Sequence, residues 1–399
     1  MMVRRSQGLR KVARFLALGV LPLAAAGACA TQAAFDPEEP PPQGPDASAE
    51  ATSPVDAGPS EDVQSDAGPC STSGLCKVPA PIDTRINITS IHGSGPNDVW
   101  AVGTDRTILH YDGAVWEKAA AVDAGTSPYT LRSVWVGAPD DVWIADGPSI
   151  VHSEGWKGPL DTVWSSARLT GTAVPSAIHG MGGTVAIARQ IGRSEAYLVT
   201  CSGWADGGLV GATYLPRAFF IESGTNGLWS IAMSRPNEIW GTNLGNLGRP
   251  GSRVVRAHVA QNDGGSGSAP SWQLEEYDSR TERNLYGVWG DEEAIWLAGE
   301  GGVIRRLKRE DLSRRVFEVI ASPVVSALRG IYGFGPDDIW AVGDDATVVH
   351  WDGDVWTRLA TPFDGAATKP KLFTVWGSGP DDVWIGGGAV LLHFEGNRR

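Results

Sequence analysis

The sequence predicts an all-β fold, a seven-bladed β-propeller of four-stranded blades, on three observations: a phrase repeated seven times, the period of the repeat, and the strand-forming chemistry of each copy. The phrase is clearest at Val375-Trp376-Gly377-Ser378-Gly379-Pro380-Asp381-Asp382-Val383-Trp384. Its second tryptophan falls at Trp100, Trp143, Trp240, Trp296, Trp340 and Trp384, with a degenerate copy near Ile187. The steps are 43, about 44, about 53, 56, 44 and 44 residues, which is the length of one propeller blade.

Each copy divides into four short strands rich in aromatic and β-branched residues and punctuated by glycine, proline and aspartate. Strand a is the Leu-x-x-Val-Trp-Gly type, as in Leu131 to Trp135, Leu285 to Trp289, Leu328 to Tyr332 and Leu372 to Trp376. Strand b is Asp98 to Gly103 and Asp338 to Gly343; strand c is Thr107 to Tyr111 and Thr347 to Trp351. Strand d is expected at Val115-Trp116, Gly155-Trp156, Gly203-Trp204, Ser271-Trp272, Val316-Phe317 and Val355-Trp356. Asp112-Gly113 and Asp352-Gly353 supply the positive φ that primed hairpin turns demand. In Gly335 to Asp338 and Gly379 to Asp382 the proline presets φ, and the aspartates read as turn caps rather than calcium ligands.

The last copy ends after Val390 to Gly396 with no tryptophan strand behind it. A ring needs that edge covered. Leu75 to Pro81 aligns with Val355 to Thr361, which puts Cys76 in the place of Trp356 and closes the ring with an N-terminal strand. The tryptophans recur in strict phase and read as wedges between blades. His92, His110, His152, His179, His350 and His393 recur at repeat-equivalent positions and read as structural rather than as a metal shell.

Three segments are expected: a signal peptide over 1–28, a disordered tether over 29–72 and the propeller over 73–399. Arg4, Arg5, Arg10, Lys11 and Arg14 precede a short apolar run, Phe15 to Ala26, which is too short to span a bilayer. The run ends Ala26-Gly27-Ala28-Cys29 and resembles the bacterial lipoprotein box, which implies lipidation of Cys29, a membrane anchor and an outer-membrane address; ordinary cleavage after Ala30 also fits the small-x-small rule. Ala30 to Pro69 holds nine acids, eight prolines and no Lys or Arg, so it cannot bury enough surface to offset its ordering entropy.

The net charge is -13, and the folded part carries no basic stripe, which argues against a nucleic-acid partner. In an exported chain Cys70 and Cys76 are placed to close a small disulfide loop, and Cys201 reads as a buried inert thiol.

The phrase resembles bacterial β-propellers of the tandem W-G-S-G-P-x-D-V-W-A-V-G type, labelled Asp-box (BNR) or sialidase-like repeat proteins and found on lipoproteins. The resemblance spans residues 75–399 and implies the fold, with little to say about activity. No turn has the Ser-x-Asp-x-Gly-x-x-Trp spacing of the true Asp-box.

In a propeller the a-to-b and c-to-d turns share one face, and the b-to-c and d-to-a connections the other. The second set is irregular here: Lys157 to Pro175, Ala188 to Ala196, Ala205 to Asn226, Thr242 to Ser252 and Glu275 to Asn284, whereas Gln261 to Ser271 falls on the first face. Loops on a rigid scaffold are where binding concentrates. Trp164, Arg168, Arg189, Arg193, Tyr214, Arg217, Asn243, Asn246 and Arg249 are therefore the candidate ligand residues, since arginine forks and aromatic plates suit carboxylates and sugars.

No zinc-protease, nucleophile-elbow, P-loop or Cys-x-x-Cys motif is present, so no cofactor or metal is expected. Arg189, Arg217, Arg249, Tyr214 and Glu222 are the residues a sialidase-like site would draw on. The leading expectation is a surface-tethered, non-enzymatic propeller binding a glycan or a protein. The alternatives are a docking subunit of an envelope complex, or a glycosidase or lyase.

Overall fold

A computed structural model describes residues 70–120, 129–171, 173–190, 198–215, 228–243, 252–259 and 272–396. The expected signal peptide and residues 29–69 of the expected tether, with Cys29, lie outside the described residues, as do Arg193, Arg217, Glu222, Asn246, Arg249 and all of Gln261 to Ser271. Seven four-stranded antiparallel sheets form, one per repeat. Their innermost strands are Ile88–Gly95, Leu131–Ala138, Val174–Met181, Ser230–Arg235, Leu285–Gly290, Leu328–Gly335 and Leu372–Gly379. Each meets its neighbours in a closed cycle around a central channel.

The second strand of a blade is covered on both faces by the adjoining blades, which is why Asp98–Gly103 reads as an almost unbroken apolar run and is buried throughout after its first residue. Trp100, Trp143, Trp240, Trp296 and Trp384 are fully buried there. The aspartate opening that strand is held by side chains rather than serving only as a turn cap. Asp98 Oδ1 accepts from Trp100 Nε1 at 3.0 Å and contacts His110 Nε2 at 2.8 Å. Asp141 with Trp143 and His152, and Asp338 with Trp340 and His350, repeat the arrangement. In blade 4 Glu238 and Arg256 replace the aspartate and histidine. Glu238 then accepts from Arg256 Nε at 2.6 Å and from Arg309 Nη1, a blade 5 residue, at 2.7 Å.

The degenerate copy is centred one residue earlier than expected, because Ala186, opposite His179 and Thr200, takes the tryptophan position. The ring closes as expected: Leu75–Lys77 pairs with Val390–Glu395 as the fourth strand of blade 7. Its register is one residue off the alignment. Leu75 lies opposite Phe394, as Trp356 lies opposite Trp351 in blade 6, so Leu75 and not Cys76 is the wedge. A slip of one residue exchanges the faces of a strand, and Leu75 is the side chain that this register buries completely. Cys70 and Cys76 form the expected disulfide, and Cys201 is buried and free, its thiol pushed up to about 11 by burial.

The expected outer strands of blades 2, 3 and 5 are corrected. They are Ser165–Arg168, Thr213–Leu215 and Glu318–Ile320. Trp156 sits in a connection instead, and Trp204 in the two-stranded hairpin Gly203–Ala205/Gly208–Val210. Both rings nevertheless reach the blade before them: Trp156 stacks on His110 at 4.5 Å and Trp204 on His152 at 5.2 Å. The aromatic contact, worth roughly 0.5–1.5 kcal/mol beyond its buried area, keeps the wedge in place while the chain inserts its extra residues between wedge and strand.

Candidate binding channel

Five copies open with a buried leucine, Leu131, Leu228, Leu285, Leu328 and Leu372, each at most 1 % exposed. Strand alternation turns the following residue away from that core. Arg132, Trp229, Tyr286, Arg329 and Phe373 therefore stand around the channel mouth on the b-to-c and d-to-a face. The channel encloses about 450 Å³.

Arg329 and Arg132 occupy the same place in blades 6 and 2 but differ in their electrostatics. The Arg329 guanidinium lies 5.1 Å from the Tyr286 ring centre and 5.8 Å from that of Phe373. It donates to Asp344 through Nε and, at 2.9 Å, through Nη2, and these bonds hold the Asp344 carboxyl below its usual range. In blade 2 the residue corresponding to Asp344 is Gly147, and the preceding Asp146 is occupied by Arg106 at 2.6 Å. Burial raises the Asp146 pKa, an effect Arg106 only partly offsets. Arg132 is exposed and has no ion-pair partner among the described residues.

Below the mouth, hydroxyls join neighbouring inner strands. Val134 N donates to Ser90 Oγ and Ile178 N to Ser133 Oγ, each at 3.1 Å, and Ile91 N donates to Thr374 Oγ1 at 3.2 Å. Gly287 and Gly330 stand at the matching places in blades 5 and 6, where no hydroxyl is available.

Deeper lie His92 and His179. Val136 N donates to His92 Nδ1 at 3.2 Å, which fixes that nitrogen as an unprotonated acceptor. Burial, with His179 nearby, lowers the His92 pKa to about 3, and burial lowers that of His179 to about 4.

The structure scatters the ligand residues expected from sequence. Arg189 is buried and spends its Nη2 on the carbonyls of Thr170 and Ala173, so it acts as a structural clamp and not as an exposed fork. Asn243 is buried, its Oδ1 accepting from Arg253 N across the b-to-c connection. Trp164 packs edge-on against Trp100 and lies in a c-to-d connection, hence on the opposite face to the one expected. The same reassignment moves residues 157–164 and 205–212 to that opposite face. Arg168 and Tyr214 are exposed on outer strands, away from the channel. The mouth residues went unrecognised, although a signal exists: the column after the opening leucine varies through Arg132, Trp229, Tyr286, Arg329 and Phe373 while the leucine stays constant.

No protein-family model matches the chain, and no curated protein matches it. Among solved structures it resembles YCF48 bound to D1 peptide, at 16% identity over 81% of this chain and 94% of the other, with TM-score 0.55. YCF48 from Cyanidioschyzon merolae matches at 17% identity over 81% and 99%, with TM-score 0.59. The WD40 β-propeller domain of Doa1 matches at 13% identity over 78% and 94%, with TM-score 0.54. At such identities the likeness is one of fold, and the fold of this chain is a seven-bladed β-propeller.

Proposed function

We propose that this protein is a non-enzymatic binding propeller that takes a polypeptide partner at its channel mouth. The observation that carries this reading is the grouping, on one rim, of Trp229, Tyr286 and Phe373 with the unpaired Arg132. Aromatic and arginine side chains concentrate binding energy in protein interfaces. A neighbour of the same fold, YCF48, has been solved with a D1 peptide, which supports a peptide as a ligand that such a scaffold can hold. A binding role is favoured over a catalytic one because His92, the best-placed acid–base group in the channel, has its Nδ1 engaged by Val136 N and a pKa near 3, far from neutrality.

The proposal includes export and anchoring. The Cys70–Cys76 disulfide suits an oxidising compartment, and Cys29 is the proposed lipid attachment that tethers the propeller in the envelope.

A panel of peptides and a panel of glycans, each offered to the full-length protein and to Trp229→Ala and Phe373→Ala variants, tests this reading. Peptide binding weakened by both substitutions is expected. Glycan binding without peptide binding would replace a polypeptide partner by a carbohydrate, and binding untouched by both substitutions would move the site away from the mouth.

A further inference from the structure

Resting on that reading, we infer that the element recognised at the mouth is acidic: an Asp or Glu side chain of the partner pairs with Arg132 while an apolar residue of the same segment packs across the channel on Trp229 and the Tyr286–Arg329–Phe373 stack. The inference comes from the contrast between the two rim arginines. Arg329 is neutralised by Asp344 and immobilised between two rings, so it serves as part of a flat apolar wall with little net charge to offer. Arg132 has lost the equivalent acid to Gly147, and its neighbour Asp146 is committed to Arg106. Restoring the acid at 147 is opposed by packing, because a Cβ there would meet the Tyr129 ring at 2.8 Å and the residue has φ +51.

Among the described residues the rim thus carries one unspent positive charge, on blade 2, across the channel from an apolar wall drawn from blades 4 to 7, inside a chain whose overall charge is -13. A planar guanidinium with free donors is matched by a carboxylate, which can accept two of its N–H groups at once. The wall across the channel from it is matched by an aromatic or aliphatic side chain. A carboxylate and an apolar group carried on one segment that spans the mouth is a description of an acidic–hydrophobic peptide segment.

The test uses short synthetic peptides pairing Asp or Glu with an aromatic or aliphatic residue, and a matched set with Asn or Gln, titrated into the full-length protein by fluorescence anisotropy. Loss of a charge-assisted contact should weaken the amide set about ten- to a hundredfold relative to the acidic set. Arg132→Gln should abolish that preference, bringing the acidic set down to the amide set, and added salt should narrow the gap in the wild type. Equal affinity for both sets, or a preference that survives Arg132→Gln, overturns the acidic ligand while leaving a polypeptide partner standing. No affinity for any peptide overturns the polypeptide reading and this inference with it.

Discussion

Leu75 lies directly opposite Phe394, across a seam that joins the two ends of the propeller chain. The pairing strand is only three residues long, and Leu75 is its one fully buried side chain. Leu75→Ala should cost about 2–5 kcal/mol, whereas Lys77→Ala, on an exposed position, should cost under about 0.5 kcal/mol. Denaturant unfolding of the two variants checks this, and equal midpoints would show that the strand does not hold the ring.

The disulfide shares that strand. Linking Cys70 to Cys76 closes a short loop, for which loop-closure entropy suggests about 2 kcal/mol of stabilisation. Unfolding with and without a reductant should differ by that amount, and the Cys70→Ser/Cys76→Ser double variant should match the reduced wild type.

Glu238 is the shared acceptor of Arg256 and Arg309, and it is 4 % exposed. Burial raises its pKa, but the two guanidiniums outweigh that and hold it below the usual carboxylate range. Glu238→Gln leaves the buried Arg309 without its counter-charge and Arg256 with Glu275 alone, and should destabilise by about 3 kcal/mol. Thermal unfolding would show this, and restoration in a background that also removes both arginines would confirm that the loss is electrostatic.

His92 and His179 give the fold an acid sensitivity. Their folded pKa values, about 3 and about 4, lie below the ordinary histidine value, so between roughly pH 6.5 and 4 the unfolded chain binds protons that the folded one does not. Stability from this source is complete above pH 6.5 and falls as the pH drops through that window, by roughly 1 kcal/mol per histidine per pH unit. His92→Phe should flatten the pH dependence of the melting temperature over this range, and an unchanged slope would exclude His92 as a contributor.

Cys29→Ser tests the proposed anchor. The variant should leave the membrane fraction and appear in the soluble envelope fraction or the medium; continued sedimentation with membranes would rule out lipid at this position.

The repeat itself determined the fold. In-phase tryptophans, Asp-Gly turns and a last copy lacking its outer strand specify seven blades and closure from the N-terminus, because each blade's packing is encoded within about 44 residues. The Cys70–Cys76 pair and the inert Cys201 were legible for the same reason: their chemistry is local or compositional.

Tertiary structure decided what depends on neighbours. Trp156 and Trp204 look like outer-strand residues in the sequence, but they stack on His110 and His152 from between the third and fourth strands of their blades, Trp204 within a small hairpin, which leaves residues 157–164 on the other face. Arg189 looks like a free fork until the carbonyls of Thr170 and Ala173 are brought to it. The channel mouth is assembled from blades 2, 4, 5, 6 and 7. Among the described residues its unspent charge, Arg132, is identified only when Asp146 is seen to be held by Arg106, a residue of the preceding blade connection. Local periodicity sets which way a side chain points; which other side chain answers it is set by the ring.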